Sequence, residues 1–344
     1  MHIETVIVLL FALAAGVALI ARWLRLPYTV ALVIAGLLLG GTHRFPAPHL
    51  SKELVFTVFL PGLLFEAAFH LEWRRFWANK LTIHALAVPG VAAAIAVTAF
   101  ILTPIADALH FVDGFTLAHG FVFAALIAAT DPIAVVGLFK TVGAPKRLAV
   151  LVEGESLLND GTAVVFFALI LDIFSGRNLS LAAGVADFAK VVGVGAVVGT
   201  AVSFAASKVI QKVDDPMVEI TLTTVAAYGS FVLAEQFHAS GVIATVVAGM
   251  ICGNYATETG MSPTTRLAVE SFWEYLAFAL NSFIFLLIGL QVHVDDLVAS
   301  WKPILAAYLA VTLGRAVVVW LVALLLRRSS ERIPPKWTLV LVWG

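Results

Sequence analysis

One cysteine in 344 residues leaves no internal disulfide to form. Cys252 also lacks a companion with which to ligate a metal, so it reads as a small packing residue. Charge is nearly as scarce. Only 12% of residues are Asp, Glu, Lys or Arg, and the formal net charge of −1 excludes a broad nucleic-acid footprint. No Lys/Arg-rich tail and no G-x-x-x-x-G-K-[ST] loop occurs, which removes nucleotide-driven chemistry. The nine histidines are scattered, and His84 has no H-x-x-x-H or carboxylate companion at helical spacing, so no transition-metal site and no resident cofactor is expected. The opening Met1-His2-Ile3-Glu4 carries no Lys or Arg, and Arg22 and Arg25 follow the apolar run 3–21. That run reads as a first span and not as a cleaved leader.

What the chain has in abundance is apolar surface: 61% of residues are hydrophobic and the mean hydropathy is +1.00. This composition belongs to an all-α, polytopic membrane protein. Apolar windows between polar or Pro/Gly-rich breaks place spans at 3–21, 28–41, 54–71, 81–105, 117–139, 147–173, 181–207, 217–235, 240–254, 268–291 and 303–326. A twelfth begins at Trp337. Of the 21 Lys and Arg residues, Arg44, Lys52, Arg177, Lys190 and Lys302 fall on one side of the membrane, Arg315 lies inside a span, and the rest fall on the other side. The positive-inside rule then sets the N-terminus outside a cell (inner) membrane. Trp23, Trp73, Trp77 and Trp301 stand beside these loops as interfacial anchors.

Depth separates the unusual charges from the ordinary ones. At 1.5 Å per residue, Asp160 lies roughly 20 Å along its helix from Arg147, near the middle of a membrane about 40 Å thick. Arg315 is about equally far from Lys302 and Arg327, and Glu66 lies between Lys52 and Arg74. Asp131 sits roughly 14 Å or less from Lys140. Charges at that depth are expensive and usually face a cavity or an ion path. Glu153, Glu219, Glu270 and Glu274 fall within a few turns of a cytoplasmic end and are expected to be solvated there.

The densest polar stretch is Glu153-Gly154-Glu155-Ser156-Leu157-Leu158-Asn159-Asp160. Glu155 and Asn159 are four residues apart, as are Ser156 and Asp160, so both pairs stack on adjoining lines of one helix face. In Ala128-Ala129-Thr130-Asp131-Pro132 the proline removes a helix hydrogen bond and frees backbone carbonyls. A carboxylate at such a break can balance an exposed helix N-terminus, which suits Asp131. Ser156, Asn159 and Thr130 supply oxygen next to Asp160, an all-oxygen set that suits a hard monovalent cation such as Na+. One carboxylate can hold a proton or a cation, not both. Glu155 and Arg315 are deep charges of opposite sign whose pairing across helices spares each the cost of standing alone. Glu66, in Pro61-Gly62-Leu63-Leu64-Phe65-Glu66-Ala67-Ala68, has no evident partner and reads as cavity-facing or protonated. Asn281 and Ser282 read as helix-packing glue.

These pieces together resemble the NhaP-type sodium/proton antiporters and the related eukaryotic sodium/proton exchangers. The matching segments are Leu64-Phe65-Glu66-Ala67, Ala129-Thr130-Asp131-Pro132, Gly154 through Asp160, and Gly314-Arg315. The resemblance implies an inverted-repeat fold of thirteen spans with broken crossing helices, in which a core domain moves against a dimerising domain. It implies that Asp160 exchanges Na+, K+ or Li+ for a proton, and that Thr130, Ser156 and Glu66 contribute to the ion site. It further implies that Asn159 organises the site, Asp131 steadies the crossed helices and Glu155 pairs with Arg315. Asn at 159, where another antiporter branch has Asp, implies one-for-one electroneutral exchange. Partners on this reading are the cation, the proton, the bilayer and a second copy in a homodimer, without nucleic acid. Family members continue past Val340-Leu341-Val342-Trp343-Gly344 through a glycine-rich break, so 1–344 is expected to be one antiporter transmembrane domain that stops before the second crossed helix is complete. An intramembrane aspartyl protease would need a Gly-x-Gly-Asp element, which is absent. A cation channel or an inactive fragment of the fold stays open.

Overall fold

The computed structural model describes residues 3–24, 26–41, 51–176 and 181–343. Arg25, Arg44 and Arg177, three of the charges used to assign sidedness, lie outside the described residues, as do the side chains of Lys52 and Lys140. Every regular element among the described residues is helical. The principal helices are α1 (Ile3–Leu24), α2 (Tyr28–Gly40), α3 (Leu60–His70), α4 (Val91–Ala108), α5 (Leu117–Leu126), α6 (Ile133–Val142) and α7 (Lys146–Phe174). They continue as α8 (Leu181–Ile210), α9 (Pro216–Gln236), α10 (Gly241–Ile251), α11 (Pro263–Gln291), α12 (Trp301–Leu325) and α13 (Pro335–Trp343).

Among the described residues, six helical stretches are long and apolar enough to cross a membrane: Lys80–Ala108, Lys146–Phe174, Ala182–Ile210, Pro216–Gln236, Pro263–Gln291 and Trp301–Arg328. Shorter apolar helices cover Val8–Leu24, Tyr28–Gly40, Val55–His70 and Leu117–Leu126. The protein is therefore a multi-pass membrane protein. Helix starts follow local chemistry. Asp215 accepts the amides of Met217 and Val218 at 2.9 and 3.1 Å with Pro216 as the first residue of α9, and Ser262 accepts the Thr265 amide ahead of Pro263 at the start of α11. Gly143, at φ +67°, ends α6 in the left-handed conformation that glycine adopts without strain.

Two features break the simple span pattern. The fifth apolar window is two helices, α5 and α6, with a non-helical segment between Leu126 and Ile133. Among the described residues, three spans also contain a π turn: Val55–Phe59 before α3, Leu86–Gly90 before α4 with Pro89 inside it, and Cys252–Ala256 after α10. Each wide turn leaves carbonyls free for other partners.

Small residues let the helices approach. A Cβ added at Gly36 of α2 would lie 2.3 Å from the Leu286 carbonyl oxygen, and one at Gly289 of α11 would lie 2.3 Å from that of Val33. Beside this crossing the Tyr28 hydroxyl meets the Ser282 hydroxyl at 2.7 Å. α4 packs on α12, α8 on α10, and α10 on α3.

A polar clasp closes the end of the bundle where α7 begins. The Arg147 guanidinium donates to Asn79 Oδ1 at 2.6 Å and to the carbonyls of Glu331 and Arg332 at 2.9 and 3.2 Å. The buried Glu331 carboxylate accepts the Thr82 amide at 2.9 Å. The loop between α12 and α13 is thus tied to two other segments. Glu219 departs from the expectation of a solvated helix end, because it is wholly buried in the first turn of α9 beside Thr265. Counting residues from a helix end measures depth along the axis and not the cover provided by neighbouring helices.

Candidate functional site

The break between α5 and α6 sits against the middle of α7. Ser156 Oγ donates to the Thr130 carbonyl at 2.6 Å, and Asn159 Nδ2 donates to the Ala128 carbonyl at 3.1 Å and to Thr130 Oγ1 at 3.3 Å. Helix α7 therefore supplies the hydrogen bonds that the broken span cannot make within itself. Asp131 caps the second half, its Oδ1 accepting the Ile133 amide at 2.9 Å where the dipole of α6 begins. Thr162, one turn beyond Asn159, donates to the Ala87 carbonyl at 2.6 Å inside the π turn that carries Pro89. Two irregular segments thus converge on one regular helix.

Arg315 of α12 reaches the same region. Its Nη2 and Nη1 donate to the two carboxylate oxygens of Glu155 at 2.9 and 3.3 Å, a two-point pairing. The side chains of Glu155 and Arg315 are 5% and 15% exposed, so neither charge is shielded by bulk water. Arg315 also donates from Nη1 to Thr130 Oγ1 at 3.3 Å and from Nε to the Leu341 carbonyl of α13 at 3.0 Å. Glu155, Arg315, Thr130 and Asn159 form one connected network.

Asp160 stands apart from this network in a telling way. Half-buried on α7, its carboxylate accepts no hydrogen bond and joins no ion pair among the described residues. The carboxylates of Asp131 and Glu155 act on it electrostatically. Glu155 is offset by Arg315 and Asp131 by a helix N-terminus, so Asp160 is the carboxylate left without a fixed counter-charge.

Glu66 is not hydrogen-bonded to this group among the described residues. Its carboxylate lies 3.3 Å from Nδ1 of His70, one turn further along α3, and Nε2 of the same ring lies 3.9 Å from Glu274 of α11. The partner missing from the sequence reading was therefore His70, and the four-residue spacing from Glu66 was the available signal. Thr162 and the Arg147–Glu331 clasp left no such local mark.

Comparison with known proteins places this geometry. The profile of the family described as "Sodium/hydrogen exchanger, transmembrane" matches residues 7–344. The low-affinity Na+/H+ antiporter NhaS1 of Synechocystis is 43% identical over 90% of this chain, which spans 57% of that relative's length. The Na+/H+ antiporter NhaH of Halobacillus aidingensis is 35% identical over 96% of this chain and 84% of its own length. Among solved structures, the sodium proton antiporter MjNhaP1 from Methanocaldococcus jannaschii aligns with a TM-score of 0.77 at 22% identity, covering 98% of this chain and 83% of that one, which speaks to the fold. With the profile running through the broken span, the Glu155–Arg315 pair and Asp160 alike, the chain belongs to the sodium/hydrogen exchanger family.

Proposed function

We propose that this chain is the membrane domain of a secondary antiporter that exchanges Na+ for H+, with both ions competing for Asp160. The observation that carries the reading is the unpaired Asp160 carboxylate beside a broken helix, while the two carboxylates near it are each committed to another charge or dipole. A fixed cation at Asp160 would quench exchange, and an unbroken helix would leave no free oxygens beside it.

The residues act in sequence of distance from the ion. Asp160 gives the exchangeable charge, Ser156 and Thr130 give neutral oxygen, and Glu66 supplies a further carboxylate toward the His70 side. Asn159 holds the break in register through its two donated hydrogen bonds, Asp131 steadies the start of α6, and the Glu155–Arg315 pair fixes α7 against α12. A single titrating carboxylate means that one Na+ leaves as one proton arrives, so the cycle moves no net charge. The names of NhaS1 and NhaH support the same ion pair. On this reading the protein is a homodimer in the cell membrane with its N-terminus outside, and a core bearing α4 to α7, α12 and α13 moves against the remaining helices in a thirteen-span inverted-repeat fold.

Sodium-driven proton flux in proteoliposomes tests the reading, with Asp160→Asn as the matched variant. The parent protein should acidify or alkalinise the lumen in step with the imposed Na+ gradient, and the Asn variant should insert normally yet give no coupled flux. Coupled flux at near parental rate in Asp160→Asn would sink the assignment. Na+ movement without counter-moving protons would identify a channel instead.

A further inference from the structure

Asn159 spends both amide hydrogens on the broken span, which fixes the orientation of its side chain. Its Oδ1 is buried and has no hydrogen-bond partner among the described residues. That oxygen is not alone. Thr98 of α4 is 4% exposed, and its hydroxyl likewise makes no hydrogen bond among the described residues. Buried polar groups are almost always satisfied, so Asn159 Oδ1 calls for a partner, and the Thr98 hydroxyl is not committed elsewhere among the described residues.

Both residues line one partly open cavity between α4, the broken span, α7 and α12, with room for water of about 40 Å³. Glu155, Thr130 and Arg315 line it too, and the rest of its wall is apolar. One water needs roughly 10–15 Å³ and two or more polar contacts, and this space offers both. A cation is a poor occupant, because the Arg315 guanidinium faces the same space and the Glu155 charge is already taken by it. Gly314 keeps the hydroxyl where it is: a Cβ there would lie 2.5 Å from Thr98 Oγ1.

We propose that an ordered water in this cavity joins Asn159 Oδ1 to the Thr98 hydroxyl and makes Thr98 a positioning residue of the ion site. The water donates one hydrogen to Asn159 Oδ1 and shares a hydrogen bond with the threonine. Held from both ends, the Asn159 amide cannot turn over, and its NH2 stays on the Ala128 and Thr130 oxygens. The backbone beside Asp160 is thereby held in the form that accepts a cation. The assignment rests on the antiport reading for its consequence, and on the cavity alone for the water.

Two measurements on the purified full-length protein test it. High-resolution cryo-EM should show solvent density within hydrogen-bonding distance of both Asn159 Oδ1 and Thr98 Oγ1, and that density should be lost or displaced in Thr98→Val. Calorimetric Na+ binding should weaken by about fivefold in Thr98→Val, the size of one net hydrogen bond, and recover in Thr98→Ser. In flux assays the loss should appear in KM for Na+ and not in kcat. Thr98→Ala replaces the valine variant if the latter fails to fold. Absence of the density in the parent, or equal Na+ binding by the valine and serine variants, overturns the proposal. Density and the serine rescue of Na+ binding without coupled proton flux would uphold the water and refute antiport.

Discussion

Removing Arg315 and removing Glu155 should not cost the same. Glu155 is 5% exposed and among the described residues its two oxygens are held by Arg315 alone, at 2.9 and 3.3 Å, so Arg315→Met strands a buried carboxylate with no other donor among them. Breaking a buried pair in this way costs about 3–5 kcal/mol. Arg315, by contrast, keeps two acceptors when Glu155 becomes Gln, namely Thr130 Oγ1 and the Leu341 carbonyl, so that variant should fall at the lower end of the range. A double variant, Glu155→Leu with Arg315→Met, removes both charges and should recover most of the loss, because an apolar pair of similar size is often as stable as a buried ion pair. The assay compares the thermal unfolding of these four proteins in one detergent at one scan rate, read by tryptophan fluorescence. The expected order of midpoints is parent, double variant, Glu155→Gln, then Arg315→Met. A double variant no more stable than Arg315→Met would refute the reasoning, since it would show that the two charges do not offset one another.

Exchange should be electroneutral: clamping the potential at about 100 mV would bias a one-charge step by about 2.3 kcal/mol, so a voltage-dependent equilibrium Na+ ratio in valinomycin-treated vesicles would show that a second carboxylate, such as Glu66 or Asp131, also cycles. Protons should raise the apparent KM for Na+ without lowering the maximal rate, and a purely non-competitive pattern in flux assays would contradict a shared site at Asp160. Gly36→Ala should loosen α2 from α11, because its Cβ would fall 2.3 Å from a carbonyl oxygen, and an unchanged thermal midpoint would show that the helices part at no cost. Thr162→Val should destabilise by about 1–3 kcal/mol by leaving the Ala87 carbonyl in the π turn unpaired, which chemical denaturation would register.

How much of this was legible in the chain depends on how far apart the partners are. The four-residue spacings within Glu155 to Asp160 and the proline at 132 are local signals, and they located the broken span and the helix opposite it. The pairing of Glu155 with Arg315 followed from cost alone, since two deep charges of opposite sign need each other. Local spacing also offered His70 to Glu66, but a histidine at a helix end draws little notice until Glu274 arrives from another helix. Thr98 and Glu219 were illegible for a different reason. One is an ordinary helix threonine whose hydroxyl matters only because Asn159 and Gly314 surround it, and the other is buried by helices that sequence distance does not reveal. The π turn at Val55–Phe59 falls in an apolar run whose residues suit an α-helix equally well, whereas Pro89 was a local signal of the break at Leu86–Gly90.

The clasp at the start of α7 has a bearing on how this protein tolerates change. Arg147 grips the α12–α13 connection by the main-chain oxygens of Glu331 and Arg332, and every amino acid carries that oxygen. The exposed side chain at 332 is therefore free to drift, whereas the number of residues in the loop is not: one insertion would carry both carbonyls out of reach of Arg147 and take the Glu331 carboxylate from Thr82. A tag, a label-bearing linker or a lineage-specific extension placed between Ser329 and Arg332 would meet a constraint of length in a stretch that looks, residue by residue, like an unremarkable surface turn.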